Sequence, residues 1–372
     1  MIRRAERSEI SFNSCNSVRR MVFLIVVLTF PLLVASCGGL MTADPVAEAE
    51  KSITTADPFM GDWQGEWELD GGTQAGPVAA QVIALGNGKY RAVCFSEFDI
   101  RTDPLAVLND EIEDDKAAFT GQADSEDGML DIKGGIEDGK FSGSFQGQTA
   151  TGTFELSRVI RLSPTLGEKP PAGAVVLFNG KNFKQWEHIP PRAKKGQKPK
   201  PAPETVQWNL DKKQELMEVE PRTGSIVTRK KFTDFKLHVE FRLPFMPDKR
   251  GQARANSGVY LQGRYEVQVL DSYGLEGLDN ECGGIYKIGK PDVNMCAPPL
   301  QWQTYDITFH APKAGKPAKM TAEHNGVPIH EDRVLPKPTG GALDQDVNEP
   351  GGIYLQDHGN RMQFRNIWLV EL

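Results

Sequence analysis

The stretch Asn256-Ser-Gly-Val-Tyr-Leu-Gln-Gly-Arg-Tyr-Glu-Val-Gln-Val-Leu-Asp271 decides the fold. Val259 and Leu261 alternate with Tyr260 and Gln262, Gly263-Arg264 interrupts, and Val267 and Val269 then alternate with Glu266 and Gln268. A period of two on both sides of a glycine turn predicts a β-hairpin with one apolar face. The opposite face collects Tyr260, Gln262, Glu266 and Gln268, and a bulge would add Asp271. One wet face is ordinary in an antiparallel sheet. A row of phenol, amides and carboxylate is also what would line up on a saccharide laid across the strands.

Outward from the hairpin the same pattern recurs. Phe235, Leu237, Val239 and Phe241 alternate with Lys236, His238, Glu240 and Arg242; Gln303–Phe309 is a further period-two run; and Met320–His324 turns through Asn325-Gly326 into Val327–His330. With 37 Gly, 25 Pro and no long amphipathic helical run, the chain reads as all-β. Its 372 residues suggest two domains. The first, about 58–162, is a small meander or barrel: it opens at Gly61-Asp-Trp-Gln-Gly-Glu-Trp67, turns at Gly86-Asn-Gly-Lys89 and closes with Thr151-Gly-Thr-Phe-Glu-Leu156. Nothing in it carries chemistry, so it is expected to be accessory. Its acidic stretch Asn109–Asp115 lacks the spacing of a calcium loop. Pro164, Pro170 and Pro171 mark a stiff linker over 163–173, before a second domain at 174–372.

Arg19-Arg20 and the apolar run Met21–Ala35 lead to Val34-Ala-Ser-Cys37-Gly-Gly, which resembles a bacterial lipobox. Residues 1–36 are expected to be a signal peptide, Cys37 the lipidated residue and 37–57 an unstructured tether, giving an exported protein of the periplasm or cell surface; a plain secretory signal leads to the same compartments. Residues 1–36 hold five Arg and two Glu, so the net charge of −7 becomes −10 without them. That balance argues against nucleic acid as a partner. Cys282 and Cys296 are able to pair in an oxidising compartment or remain thiols, with Cys94 left over.

The opening Val175-Val-Leu-Phe-Asn-Gly-Lys-Asn-Phe-Lys-Gln-Trp186, the strand Thr228–Arg242, the Asn256–Asp271 hairpin, the Asn325-Gly326 turn and the ending Gly352-Ile-Tyr-Leu-Gln-Asp-His-Gly-Asn-Arg-Met-Gln-Phe-Arg-Asn-Ile-Trp368 together resemble the 3-keto-disaccharide hydrolase domain family, in the expected order. The resemblance implies a concanavalin-A-like β-sandwich with a concave saccharide face. It also implies a substrate whose carbon 3 is already a ketone, which acidifies the proton at carbon 2 and lets a base drive loss of the aglycone.

The residues offer two candidates for that chemistry. His358 follows Tyr354 and Gln356 at alternating positions beside Gly359, and histidine is a residue type suited to removing or delivering a proton. Glu266, Gln268 and Asp271 echo the Glu-x-Asp-x-x-Glu strand of retaining glucanases, but Gln268 breaks the carboxylate pair that double displacement needs. Either His358 or Glu266 is thus the base and the other an acid or anchor. Asn256, Ser257, Tyr260, Gln262, Gln268, Asp271, Trp302, Gln356 and Arg361 are candidate substrate contacts, and Arg250, Arg254 and Arg361 candidates to stabilise an enolate oxygen. Asp279-Asn-Glu281 reads as a solvated loop before a calcium site, and Pro190–Pro203, with Lys194, Lys195, Lys198 and Lys200, as a basic surface insertion. No cofactor is expected and a divalent metal is left open: no Gly-x-Gly-x-x-Gly joins a strand to a helix, so prior oxidation of the sugar falls to a separate sugar 3-dehydrogenase. The rival reading is a lectin-like envelope lipoprotein that binds saccharides without turnover.

Overall fold

The computed structural model describes residues 44–110, 116–125, 128–191 and 201–372, and residues 43–372 form one compact unit. The signal peptide, Cys37 and the four lysines of the basic insertion lie outside the described residues.

Eight antiparallel strands close into a barrel: β1 (Gly61–Leu69), β2 (Ala75–Gly86), β3 (Lys89–Phe95), β4 (Ala106–Asp110), β5 (Ala117–Ser125), β6 (Gly128–Glu137), β7 (Lys140–Gln146) and β8 (Thr151–Val159), with β8 returning to β1. Closure pairs every edge, which removes the exposed ladder of an open sheet. At one end sits helix α1 (Pro45–Ala56), where an unstructured tether was expected. The Ala- and Glu-rich composition that reads as tether is equally good for a helix. Asp44 caps it by accepting from Val46 N at 3.0 Å, and Pro45 occupies its first turn. Ile53 is fully buried, and Asp57 fixes the helix exit by accepting from Met60 N (2.8 Å) and the Tyr90 hydroxyl (2.9 Å).

The rest is a sandwich. One sheet has five strands in the order β10 (Trp186–Ile189), β13 (Ser225–Thr228), β20 (Tyr354–Leu355), β15 (Ser257–Leu261), β16 (Tyr265–Val269). The other runs β11 (Asn209–Asp211), β12 (Leu216–Glu218), β21 (Gln363–Glu371), β14 (Phe235–Arg242), β17 (Trp302–His310), β18 (Ala318–His324), β19 (Val327–Leu335), with β9 (Val175–Phe178) also on β21. The alternation predicted for β14, β15 and β16 puts Val259, Leu261, Val267 and Val269 against Phe235, Val239, Ile307 and Phe309 in one buried core, with Tyr265 and Phe309 5.6 Å apart across it. Each such side chain contributes about 1.5–3 kcal/mol of burial.

Residues 163–173 are not a free spacer. Ser163 Oγ meets Thr304 Oγ1 at 2.7 Å, Thr165 Oγ1 donates to Asp306 at 2.7 Å, and Gly167 N donates to Glu240 at 2.7 Å. The prolines stiffen a strap that lies along the outer face of the eight-stranded sheet. The barrel is fastened too, with the Tyr273 hydroxyl and Arg161 Nε both donating to Asp62 at 2.8 Å. Cys282 and Cys296 are free buried thiols.

Candidate functional site

In the β15–β16 register Tyr260 faces Glu266 and Gly258 faces Gln268; Tyr260 also faces Tyr354 of β20, and Tyr354 faces Val227. These positions share the outer face of the five-stranded sheet, away from the core. A cleft of about 800 Å³ opens on it, walled by Ser225, Tyr354 and Gln356 of the sheet and by Gln252, Leu343 and Pro190 from surrounding loops.

His358 stands at the rim of this cleft with its side chain exposed. The turn that carries it is pinned from below: Asp357 N donates to Ser225 Oγ (2.9 Å), and the Asp357 carboxylate accepts from Gly224 N (2.9 Å) and Gly359 N (2.8 Å). Asn256, a predicted contact, is buried and positions the same turn, its backbone N–H donating to Asn360 Oδ1 at 2.8 Å. Gln356 lines the cleft, donates through Nε2 to the Tyr260 hydroxyl at 3.1 Å, and leaves its Oε1 without a hydrogen bond among the described residues.

Glu266 lies one step deeper, 4% exposed. Burial pushes its carboxyl up to about 8, against the pull of its hydrogen bond with Tyr260. Gly258 makes room for it, since a β-carbon there would sit 2.5 Å from Glu266 Oε1 and 2.8 Å from the Tyr260 ring. The Gln268 amide, turned to satisfy both ends, donates to Glu266 Oε1 at 3.2 Å and Ser257 O at 2.7 Å. Over this group runs the segment 339–343. Thr339 Oγ1 accepts from Glu266 N (2.9 Å), Gly340 O accepts from the Tyr260 hydroxyl (3.1 Å), and a β-carbon on Gly341 would reach within 2.4 Å of that hydroxyl. Two consecutive glycines let the backbone close down on the phenol. Tyr260 is therefore buried beneath a strap and is no exposed stacking platform.

The other predicted contacts fall elsewhere. Ser257 points into the sandwich and donates to Gln356 O at 2.7 Å. Gln262 is buried at the hairpin turn and donates to Phe232 O at 2.9 Å. No bulge brings Asp271 to the wet face; it is buried against Arg254 Nε at 2.5 Å. Trp302 belongs to the eight-stranded sheet, with the guanidinium groups of Arg242 and Arg365 4.7 and 4.1 Å from its ring. Arg361 pairs with Glu218 and Glu220. Period two says which residues share a face, but not which face stays open once loops cover it.

Arg250 donates to Leu85 O (2.6 Å) and Arg254 is taken by Asp271, so neither predicted enolate partner lines the cleft. Arg222 does, exposed and with φ of 68°. That backbone region is costly for a side-chain-bearing residue and is found at strained functional turns. The Glu220-Pro-Arg-Thr-Gly224 turn ahead of β13 is the sequence signal that would have found it.

Among the described residues, Glu168, His238 and Asp306 bring potential metal-ligating atoms within 4.8 Å of one another, on the outer face of the eight-stranded sheet. Two of the three are already engaged with each other, His238 Nδ1 lying 2.6 Å from Asp306 Oδ1. Burial works against the His238 cation, but the hydrogen bond to Asp306 and the nearby Glu240 carboxylate hold it up to about 9, while His238 and Arg365 bring Glu240 down to about 2 although burial opposes this. Glu281, from the acidic loop, is occupied by Gly277 N (2.7 Å) and Leu278 N (2.9 Å).

A family model described as the 3-keto-alpha-glucoside-1,2-lyase-like domain matches residues 173–370, which leaves the barrel outside it. The chain is similar to two solved structures from Parabacteroides distasonis, both provisionally described as glycosyl hydrolases. One is 33% identical over 54% of this chain and 85% of its own length, with a TM-score of 0.46; the other is 18% identical over 54% and 94%, with a TM-score of 0.39. No curated protein matches the chain.

Proposed function

The chain belongs to the 3-keto-alpha-glucoside-1,2-lyase-like domain family, and from that premise we propose that it cleaves 3-keto-disaccharides and related 3-keto-glycosides by proton abstraction at carbon 2. The observation that carries this reading is a cleft with His358 open at its rim, backed through its wall residue Gln356 and the buried Tyr260 hydroxyl by the Glu266 carboxyl, which burial keeps protonated.

His358, the accessible group, removes the proton at carbon 2, and the electron pair passes into an enolate on the carbon 3 oxygen. The enolate returns its electrons to form the carbon 1–carbon 2 double bond, regenerates the ketone and expels the aglycone oxygen from carbon 1. Glu266, protonated at neutral pH, supplies the proton that the leaving oxygen needs, through the Tyr260 hydroxyl. The sugar reaches that hydroxyl when Gly340-Gly341 lifts away, a movement that breaks the 3.1 Å bond to Gly340 O. Among the described residues Arg222 is the cation on the cleft that can meet the enolate oxygen. Addition of water to the product double bond would complete net hydrolysis. The ketone is made upstream by a separate oxidoreductase acting on the carbon 3 hydroxyl, and Cys37 lipidation would hold the activity at the envelope.

The test compares a 3-keto-disaccharide with the unoxidised sugar, using the wild type, His358→Ala and Glu266→Gln. Cleavage of the keto sugar alone, with loss in both variants, is the expected result. Activity that survives both changes removes the assignment, and binding without turnover returns the lectin reading.

A further inference from the structure

The barrel is hollow, and its sequence keeps it so. Inward positions that face each other across neighbouring strands pair an aromatic ring with glycine: Trp67 with Gly76, Phe154 with Gly143, Phe145 with Gly152. A β-carbon would stand 2.9 Å from Trp67 at Gly76, 2.6 Å from Phe154 at Gly143 and at Gly134, and 2.4 Å from Phe145 at Gly152. Each ring therefore takes up the space of a missing side chain. A small eight-stranded barrel has just enough interior for side chains to fill or for one small ligand; with its rings set over glycines this one retains about 420 Å³. The usual range for small-molecule pockets is about 300–1,000 Å³.

The hollow is graded. At the α1 end Trp63, Phe119 and Phe141 fill the lumen and are fully buried. Toward the other end the inward-facing Trp67, Val78, Ile132, Phe145 and Phe154 stay only half-buried, although their alternation matches that of core residues. Apolar side chains left accessible inside a closed wall gain burial when an apolar ligand enters. Among the described residues that line the hollow, the polar side chains Gln74, Asp124 and Ser125 sit at the mouth. Burial pushes the Cys94 thiol in the wall up to about 12, so it stays neutral.

We propose that the barrel binds a small, flat aromatic molecule, with its ring system among Trp67, Phe145 and Phe154 and its polar edge at Gln74, Asp124 or Ser125. The aromatic class follows from a wall in which ring meets ring edge to face, Trp67–Phe145 at 6.3 Å and Phe141–Phe154 at 5.5 Å, an arrangement that a further ring extends. This site is independent of the sandwich cleft.

The full chain is titrated with N-phenyl-1-naphthylamine, a neutral aromatic probe that fluoresces on leaving water. Saturable binding at one site per chain is expected, with probe emission sensitised by Trp67. Ala123→Phe fills the lumen and should weaken binding at least about tenfold, whereas Thr120→Phe, facing outward on the same strand, should leave it unchanged. Trp67→Phe, which keeps a ring in place, should remove most of the sensitised emission and decides the matter if Ala123→Phe does not fold. Absence of saturable binding, equal binding by folded Ala123→Phe, or undiminished sensitisation in Trp67→Phe overturns the proposal.

Discussion

The Gln356 side-chain nitrogen donates to the Tyr260 hydroxyl over 3.1 Å, and this contact joins the buried part of the site to the open cleft. Tyr260 in turn is the hydrogen-bond partner of Glu266. Removing the hydroxyl while keeping the ring should disconnect the two. Tyr260→Phe is expected to lower kcat by about 10²-fold, the scale of one lost proton-transfer partner, with a much smaller change in KM. Steady-state kinetics on a 3-keto-disaccharide check this; an unchanged kcat would take Tyr260 out of the proton path.

Glu266 makes the fold sensitive to pH. Its carboxyl is raised from 4.5 to about 8, so the folded state holds the proton more tightly than the unfolded chain. Its stabilising contribution is complete below pH 4.5 and is lost as pH climbs through 8. Glu266→Gln should flatten that decline and be more stable than the wild type at pH 8, on the order of a few kcal/mol. Denaturant titrations at pH 5 and pH 8 measure the difference; equal slopes in both proteins would contradict it.

Gly258→Ala tests the geometry at its tightest point. The added methyl would begin 2.5 Å from Glu266 Oε1, a movable side-chain end, and 2.8 Å from the Tyr260 ring. We expect a folded protein with kcat reduced about tenfold or more, because a misplaced proton donor is costly. Wild-type turnover in this variant would mean that the Glu266 carboxyl need not lie where it does.

On the other sheet, His238 is held by Asp306 at 2.6 Å and by Glu240 at 3.6 Å, with both His238 and Glu240 fully buried. The raised imidazole stabilises fully below pH 6.5 and loses its effect as pH rises through 9; the lowered Glu240 stabilises fully above 4.5 and fails as pH falls through 2. His238→Ala should therefore cost about 3–5 kcal/mol near pH 6, with the deficit shrinking above pH 9 and kcat unchanged where the variant is folded. Urea melts at pH 6 and pH 9.5 distinguish this from a loss of packing alone, which would be the same at both.

Much of the fold was legible because strand alternation is local: β14, β15 and β16 emerge where Phe235–Arg242 and Asn256–Asp271 predicted them. The site was only partly legible. Tyr260, Glu266 and Gln268 do share a face, and Gln356 and His358 border the cleft beside it, since period two and chain order specify that much. Asp271 and Trp302 were misplaced because the end of β16 and the pairing of β17 are settled by tertiary partners, Arg254 for one and two arginines for the other. Arg222 was missed because its position depends on a left-handed turn, and helix α1 because twelve Ala- and Glu-rich residues fit a tether as well as a helix until a core accepts Ile53.

The central claim is that bond cleavage begins at carbon 2, and a 3-keto-disaccharide deuterated at that carbon tests it most directly. A primary isotope effect on kcat/KM, abolished together with turnover in His358→Ala, is the predicted result. Cleavage at the same rate for the deuterated and ordinary sugars, with label fully retained in the product, would contradict it.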